Sequence, residues 1–136
     1  MKRVFADTGY WVALLNRRDD LHEKALAAGH ALGTTEIVTS EMVLAEVLTH
    51  FCEAGPAMRA AVHAFVGRII QAGANIVPMS SDIFARAVAH FGKFQDKEWS
   101  LTDSASMLIM ADLAIKEVLA FDHHFEQAGF KALLRA

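Results

Sequence analysis

A single cysteine, Cys52, in a chain of 136 residues excludes an internal disulfide, and with it a fold that depends on cross-links. The expectation is a reducing compartment and a cytoplasmic location. No uncharged apolar run approaches the roughly 18 residues that a spanning helix needs, so no membrane role is expected. Lys2 and Arg3 precede apolar residues in the manner of a signal start, but Asp7 interrupts the run at once. A basic excess is missing too. Thirteen Lys and Arg against sixteen Asp and Glu give a net charge of −3, so any hold on nucleic acid must be local and metal-assisted. The seven histidines show no zinc spacing such as HExxH, and one cysteine leaves little for a structural zinc site. His22, His30, His50, His63 and His90 fit solvent-facing or flanking helical positions. What the chain does have is apolar content, 54% of residues, with a mean hydropathy of +0.26. That is high for a chain this short and points to apolar surface covered by another subunit or a partner.

Short β-like runs alternate with helical patterns, and neither a linker nor a repeat intervenes, so residues 1–136 read as one domain. Strands are expected at Arg3 to Ala6, Glu36 to Thr39, Ala74 to Val77, Glu117 to Phe121 and Phe130 to Leu134. Between them fall a short helix through Trp11 to Leu15, and helices from Leu21 to Leu32, from Glu41 to Glu53 and from Pro56 onward. Two more follow, one after Ser80 or Ser81 to about Phe94 and one from Thr102 to Lys116. Ser40 reads as an N-cap, and Gly55-Pro56 ends one helix and opens the next. Strands alternating with helices indicate parallel βαβ units, a sheet between helix layers.

Four carboxylates stand at informative places in that pattern. Asp7 closes the run Val4-Phe5-Ala6, and Asp122 closes Val118-Leu119-Ala120-Phe121. Asp103 opens a helix, and Glu46 lies inside EMVLAEVLTHF, flanking the apolar stripe of Val43, Val47, Leu48 and Phe51. In an open α/β sheet, ligands bind where strand ends and helix starts converge. Like charges gathered there need a proton or a cation, and oxygen donors without sulfur suit hard divalent ions. The pattern points to a metal-dependent hydrolytic site acting on phosphate. Each acid also has a purely structural reading. Asp7-Thr8-Gly9 fits a turn, Ser100-Leu101-Thr102-Asp103 fits a capping box, and Asp122 fits a cap for the segment after it.

Taken together, FADTGYWVALLNRRDDLH, VTSEMVLAEVLTHF, WSLTDSASMLIM and VLAFDHHFEQAGF resemble, in order and over nearly the whole chain, the PIN-domain nucleases. Within them the chain is most similar to the small stand-alone toxins of bacterial VapBC toxin–antitoxin pairs. The resemblance implies a three-layer α/β/α sandwich with a mostly parallel central sheet of four to five strands. It also implies Mg²⁺ or Mn²⁺ dependence with one or two ions, endonucleolytic cleavage of RNA, and a cognate antitoxin protein. The family's acids match Asp7, Glu46, Asp103 and Asp122, which become the implied metal ligands and catalytic residues. Thr8 and Ser104 match the hydroxyls beside them, expected to orient carboxylates. Hydrolysis at such a site leaves a 5′-phosphate and a 3′-hydroxyl. The competing class is a catalytically silent PIN-like module that binds RNA or protein without cutting.

Other motif readings fail on physical grounds. Asp7-Thr8-Gly9 matches the aspartic-protease triplet, but such sites need two copies in an all-β fold. Asp122-His123-His124 spells the signature of the DHH phosphoesterases, yet only twelve residues follow it (136 − 124). A receiver domain wants paired acids after its first strand, whereas Thr8 and Gly9 follow Asp7. Candidate RNA contacts are Arg17 and Arg18 after the first helix, and Lys93 and Lys97 near Trp99, an aromatic able to stack on a base. Trp99 equally fits a packing role before Ser100. The helix after Pro56 is apolar around most of its circumference, with a polar strip of Arg59, His63, Arg68 and Gln71, which predicts a homodimer.

Overall fold

The structure is a computed structural model that describes residues 2–135; Met1 and Ala136, the ends of the expected domain, lie outside the described residues. The chain begins β1 (Arg3–Ala6), α1 (Thr8–Leu15), α2 (His22–Ala31), β2 (Glu36–Ser40), α3 (Glu41–His50) and α4 (Pro56–Gln71). It continues β3 (Asn75–Val77), α5 (Ser81–Lys93), α6 (Leu101–Asp112), β4 (Glu117–Leu119), α7 (His124–Gln127) and β5 (Lys131–Ala132). The five strands form one sheet in the order β3-β2-β1-β4-β5, every neighbouring pair parallel. This is the expected α/β/α sandwich. Among the described residues no helix is long and apolar enough to cross a membrane.

Burial explains the strand sequences. Val4, Phe5 and Ala6 of the central strand are wholly buried, as are Val38 beside them and Val118 and Leu119 on the other flank. Parallel strands covered on both faces read as continuous apolar runs rather than alternating ones. Phe5 is in register with Val38 and with Val118, so the middle of the core is one row across three strands. The chain adds β2 and β3 on one side of β1, then crosses to add β4 and β5 on the other. The direction of winding therefore reverses at β1, and the carboxyl ends of β1 and β4 open onto the resulting crevice.

Serines set three helix starts. The hydroxyls of Ser40 and Ser80 accept from the Val43 and Ile83 backbone N–H at 3.1 Å each. Ser100 and Asp103 form a reciprocal capping box at 3.0 Å in both directions. Gly55, at φ 95°, takes a left-handed turn that leads into Pro56. Two helix ends depart from expectation. α6 stops at Asp112 rather than Lys116, because Ala114 adopts φ 56° and Ile115 N–H bonds back to the Met110 carbonyl at 2.8 Å. This is a Schellman closure with alanine where glycine is usual, so the sequence carries no stop signal. α3 stops at His50 rather than Glu53. Within its expected stripe Val43, Val47 and Phe51 are buried, but Leu48 is exposed, one position round the helix from that face.

Apolar surface is left uncovered on two helices. Only Val62 and Val66 of α4 are buried, and its exposed apolar positions are mostly alanines, with Ile70 the exposed large hydrophobic. The larger exposed groups are Phe84 (47%), Val88 (47%) and Phe91 (53%), one helical face of α5, preceded by Met79.

Candidate active site

Asp7 follows β1 directly, and its position is fixed from several directions. Its N–H bonds to the Leu119 carbonyl of β4 at 3.1 Å, across the point where the winding reverses. The preceding Ala6 carbonyl accepts the Thr39 hydroxyl at 3.0 Å, and Thr39 in turn accepts the Trp11 indole N–H at 3.3 Å. Asp7 occupies the N-cap position of α1, yet its side chain makes no capping hydrogen bond. The structural reading of Asp7 as a turn-forming cap therefore lacks its characteristic contact.

The carboxyl of Asp7 is buried and pushed up from the usual 3.8 to about 8. Desolvation is the first cause, the negative charge of Asp103 the next, and Asp122 and Glu46 add to it, partly opposed by the Thr8 backbone N–H. Asp103 is also raised, first by burial and then by Asp122, against the opposing effects of the Ser100 N–H and His124. Asp103 does act as a capping residue, but the same carboxylate faces Asp122 and His124, so the structural and functional readings coexist. The same is true of Asp122, whose Oδ1 accepts the His124 backbone N–H at 3.1 Å.

These groups share a cleft of about 390 Å³, lined by all four acids together with Thr8, Ser100 and Asp19. Glu46 reaches it from α3, and the Thr8 hydroxyl donates to Glu46 Oε1 at 2.7 Å. Ser104 is not part of this arrangement. Its side chain is fully buried, and the contact recorded for its hydroxyl is with His90 Nδ1 at 2.9 Å rather than with a carboxylate. One residue along an α-helix turns the side chain by about 100°. Asp103 therefore addresses the cleft while Ser104 addresses α5, where His90 stands.

Of the proposed RNA contacts, Trp99 is 7% exposed, stacks on His90 at 5.6 Å and donates to Gln127 at 3.0 Å. It packs the loop before Ser100 and presents no free face for a base. Lys97 pairs with Asp96 at 2.9 Å, and Lys93 lies over Phe94 at 5.5 Å. Arg17 and Arg18 are exposed on the turn that carries Asp19 to the cleft. Two cleft residues escaped the sequence argument, Asp19 and His124. His124 Nδ1 lies 3.0 Å from Asp103 Oδ2 and 3.8 Å from Asp122 Oδ2. The Asp-x-His spacing after a strand was its signal, hidden inside a motif that was rejected as a DHH match.

The donor chemistry fits a hard divalent cation. Donor atoms of Asp103, Asp122 and His124 lie within 4.8 Å of one another, and Asp7 and Glu46 line the same cleft. A divalent charge there would relieve the repulsion and desolvation that hold Asp7 protonated up to about 8.

Comparison with known proteins identifies the family. Over 127 residues the chain is 30% identical to the 23S rRNA-specific endonuclease VapC20 of Mycobacterium tuberculosis, covering 93% of this chain and 95% of that one. The crystal structure of the same protein, described as a Sarcin-Ricin loop cleaving toxin, superposes with a TM-score of 0.83 at 25% identity, covering 93% and 95% of the two chains. FitAcB from Neisseria gonorrhoeae shares the fold with a TM-score of 0.65 at 18% identity, over 95% of each chain. The PIN domain model matches residues 4–131, and the chain belongs to the PIN domain family.

Proposed function

We propose that this chain is a divalent-metal-dependent endoribonuclease and the toxin of a cytoplasmic toxin–antitoxin pair. The observation that carries the reading is Asp7, buried at a strand end beside three other acids and pushed up to about 8 by them and by burial. A module that only bound RNA or protein would gain nothing from concentrating negative charge where a phosphate must approach. The relatedness to an rRNA endonuclease supports RNA as the substrate class.

Asp7, Asp103 and Asp122 would hold the cation, Mg²⁺ or Mn²⁺, as one ion or a pair. When bound, the metal supplies Lewis-acid activation of water and neutralises charge at the phosphate. Thr8 donates to Glu46 Oε1 and so orients that carboxylate, which would face the cation or take the proton of the attacking water. The Asp103 carboxylate is held in one orientation by the Ser100 N–H. Burial of Asp7 excludes bulk water and strengthens every electrostatic contact in the cleft.

The Phe84, Val88 and Phe91 face suits a second copy of the chain, and remaining apolar surface suits a helical antitoxin segment with an Arg or Lys reaching the acids. Light scattering at micromolar concentration is expected to give twice the 14.9 kDa chain mass, and a soluble monomer refutes the dimer. For the activity, the test is cleavage of RNA, 23S rRNA included, with product ends mapped. EDTA should stop it, Mg²⁺ or Mn²⁺ should restore it, Ca²⁺ should bind with little turnover, and products should carry 5′-phosphates. Full activity in EDTA, or cyclic-phosphate ends, overturns the metal mechanism.

A further inference from the structure

We infer that His124 is a direct nitrogen ligand of the metal, so that the site is not an all-oxygen cage and prefers Mn²⁺ to Mg²⁺. The inference rests on the metal-dependent reading of the cleft. Its basis is where the imidazole points. Nδ1 sits between two carboxylates, 3.0 Å from Asp103 Oδ2 and 3.8 Å from Asp122 Oδ2, and one donor atom from each of the three residues falls within a 4.8 Å span. Donors about 2.1 Å from an octahedral ion lie about 3 Å apart when adjacent and about 4.2 Å apart when opposite, and the two Nδ1–carboxylate distances of 3.0 and 3.8 Å fall in that range.

His124 Nδ1 shares a hydrogen bond with Asp103 Oδ2, but steering that carboxylate does not require it. The capping box already fixes that carboxylate, because Oδ2 accepts the Ser100 N–H at 3.0 Å while Ser100 Oγ accepts the Asp103 N–H. The turn also builds the ligand in. Asp122 Oδ1 accepts the His124 backbone N–H, which folds the Asp-x-His segment so that both side chains address one place. Ligation would exchange the Nδ1 hydrogen bond to Asp103 for the ion: the Nδ1 hydrogen leaves to solvent, and the neutral ring, with its hydrogen on Nε2, offers its Nδ1 lone pair. Imidazole is a borderline donor that favours transition metals over Mg²⁺, which takes oxygen almost exclusively.

The experiment is pulsed electron paramagnetic resonance on the chelator-stripped full chain titrated with Mn²⁺, which reads the nitrogen coupling of a bound imidazole without any turnover. Wild type should show that coupling and His124→Gln should lose it. Calorimetry on the pair should show Mn²⁺ affinity falling by about tenfold or more, with Mg²⁺ affinity changing by less than about threefold. Mn²⁺ bound to wild type without nitrogen coupling overturns the inference and leaves the acidic site standing, as does coupling that survives in His124→Gln. Wild type that binds no Mn²⁺ overturns the inference and the metal-dependent reading together. Because the first measurement needs only wild type, a variant that fails to fold does not remove the test.

Discussion

The two ends of the parallel sheet carry the same kind of charge and treat it in opposite ways. At the amino end, Glu117 opens β4 with Lys2 Nζ at 2.6 Å and Lys131 Nζ at 3.9 Å. At the carboxyl end, Asp7 and Asp122 follow β1 and β4, and the nitrogen group beside Asp103 and Asp122 is the His124 imidazole rather than a lysine or arginine. One end is neutralised by the chain itself. The other is gathered, buried and left short of positive charge, at the cost of pushing Asp7 up to about 8. A fold that tolerates such repulsion at one end only has kept that end for something brought from outside.

The comparison breaks most readily at the acids. Asp7→Asn and Asp103→Asn should each lower cleavage by more than about 100-fold, beyond the loss typical of an outer-shell partner. The metal-free fold should survive, because the amide keeps the shape and cannot acquire the charge that its neighbours and burial oppose. Its melting midpoint in chelator should be unchanged or raised, with less stabilisation on adding metal than wild type shows. Asp103→Asn cleaving at the wild-type rate would refute the cage.

The same imbalance predicts a pH dependence of definite sign. Asp7 loses its proton at about 8 in the fold, against the usual 3.8. Between those values the native chain holds a proton that the unfolded chain has released, so stability falls as pH rises through the window. This contribution is fully present below the lower value and lost above the upper one. Metal-free wild type should therefore lose stability relative to Asp7→Asn as pH rises from about 4 to about 8. Saturating Mn²⁺ should reverse the loss at the upper end, by about 2.7 kcal/mol at a hundred times Kd. Thermal melts of both proteins across pH check this, and a wild-type-minus-variant difference that is flat with pH would contradict the burial argument.

How much of this was legible in the sequence follows from what each signal depends on. The strands were readable because full burial writes Val4-Phe5-Ala6 and Val118-Leu119 as unbroken apolar runs. The cap at Ser100 was readable because both partners lie within four residues. Asp7, Glu46, Asp103 and Asp122 could be picked out from strand ends and helix faces, and they do line one cleft. What failed depends on facts that are not local. The hydroxyl of Ser104 meets His90, fourteen residues earlier, and no spacing rule announces that pair. Ala114 ends α6 in a conformation that its side chain does not favour. The α4 sequence announced its exposed apolar positions, but the second such face, with Phe84 and Phe91 of α5, was not singled out.

A smaller effect is expected at Thr8, whose hydroxyl donates to Glu46 Oε1 at 2.7 Å. Thr8→Val keeps the shape of the side chain and removes the donor. Cleavage should fall about 10- to 100-fold, as for other groups that orient a ligand or base, with stability lowered by about 1 kcal/mol. With Glu46 as the group that takes the water's proton, the loss should appear in kcat rather than in KM, whereas a fall in metal affinity would mark it as a ligand. Thr8→Ser retains the donor and should recover most of the rate. A Thr8→Val enzyme with unchanged kcat would mean that Glu46 needs no orientation.

The smallest effect tests the other end of the sheet. Lys2 reaches Glu117 at 2.6 Å, but the lysine side chain is 66% exposed against 19% for the glutamate. A pair with one solvated member contributes little, because water screens it and a long side chain must be held still. Lys2→Ala should therefore cost no more than about 1 kcal/mol. Lys131 remains near the other Glu117 oxygen to limit the damage. Cleavage should be unchanged, since Lys2 sits at the amino ends of the strands and the acids at their carboxyl ends. Chemical denaturation and the cleavage assay on the same preparation read both quantities. A clear loss of cleavage at unchanged stability would show RNA reaching the lysine end. The division into a self-neutralised end and an uncompensated acidic end would then fail, because both would serve the substrate.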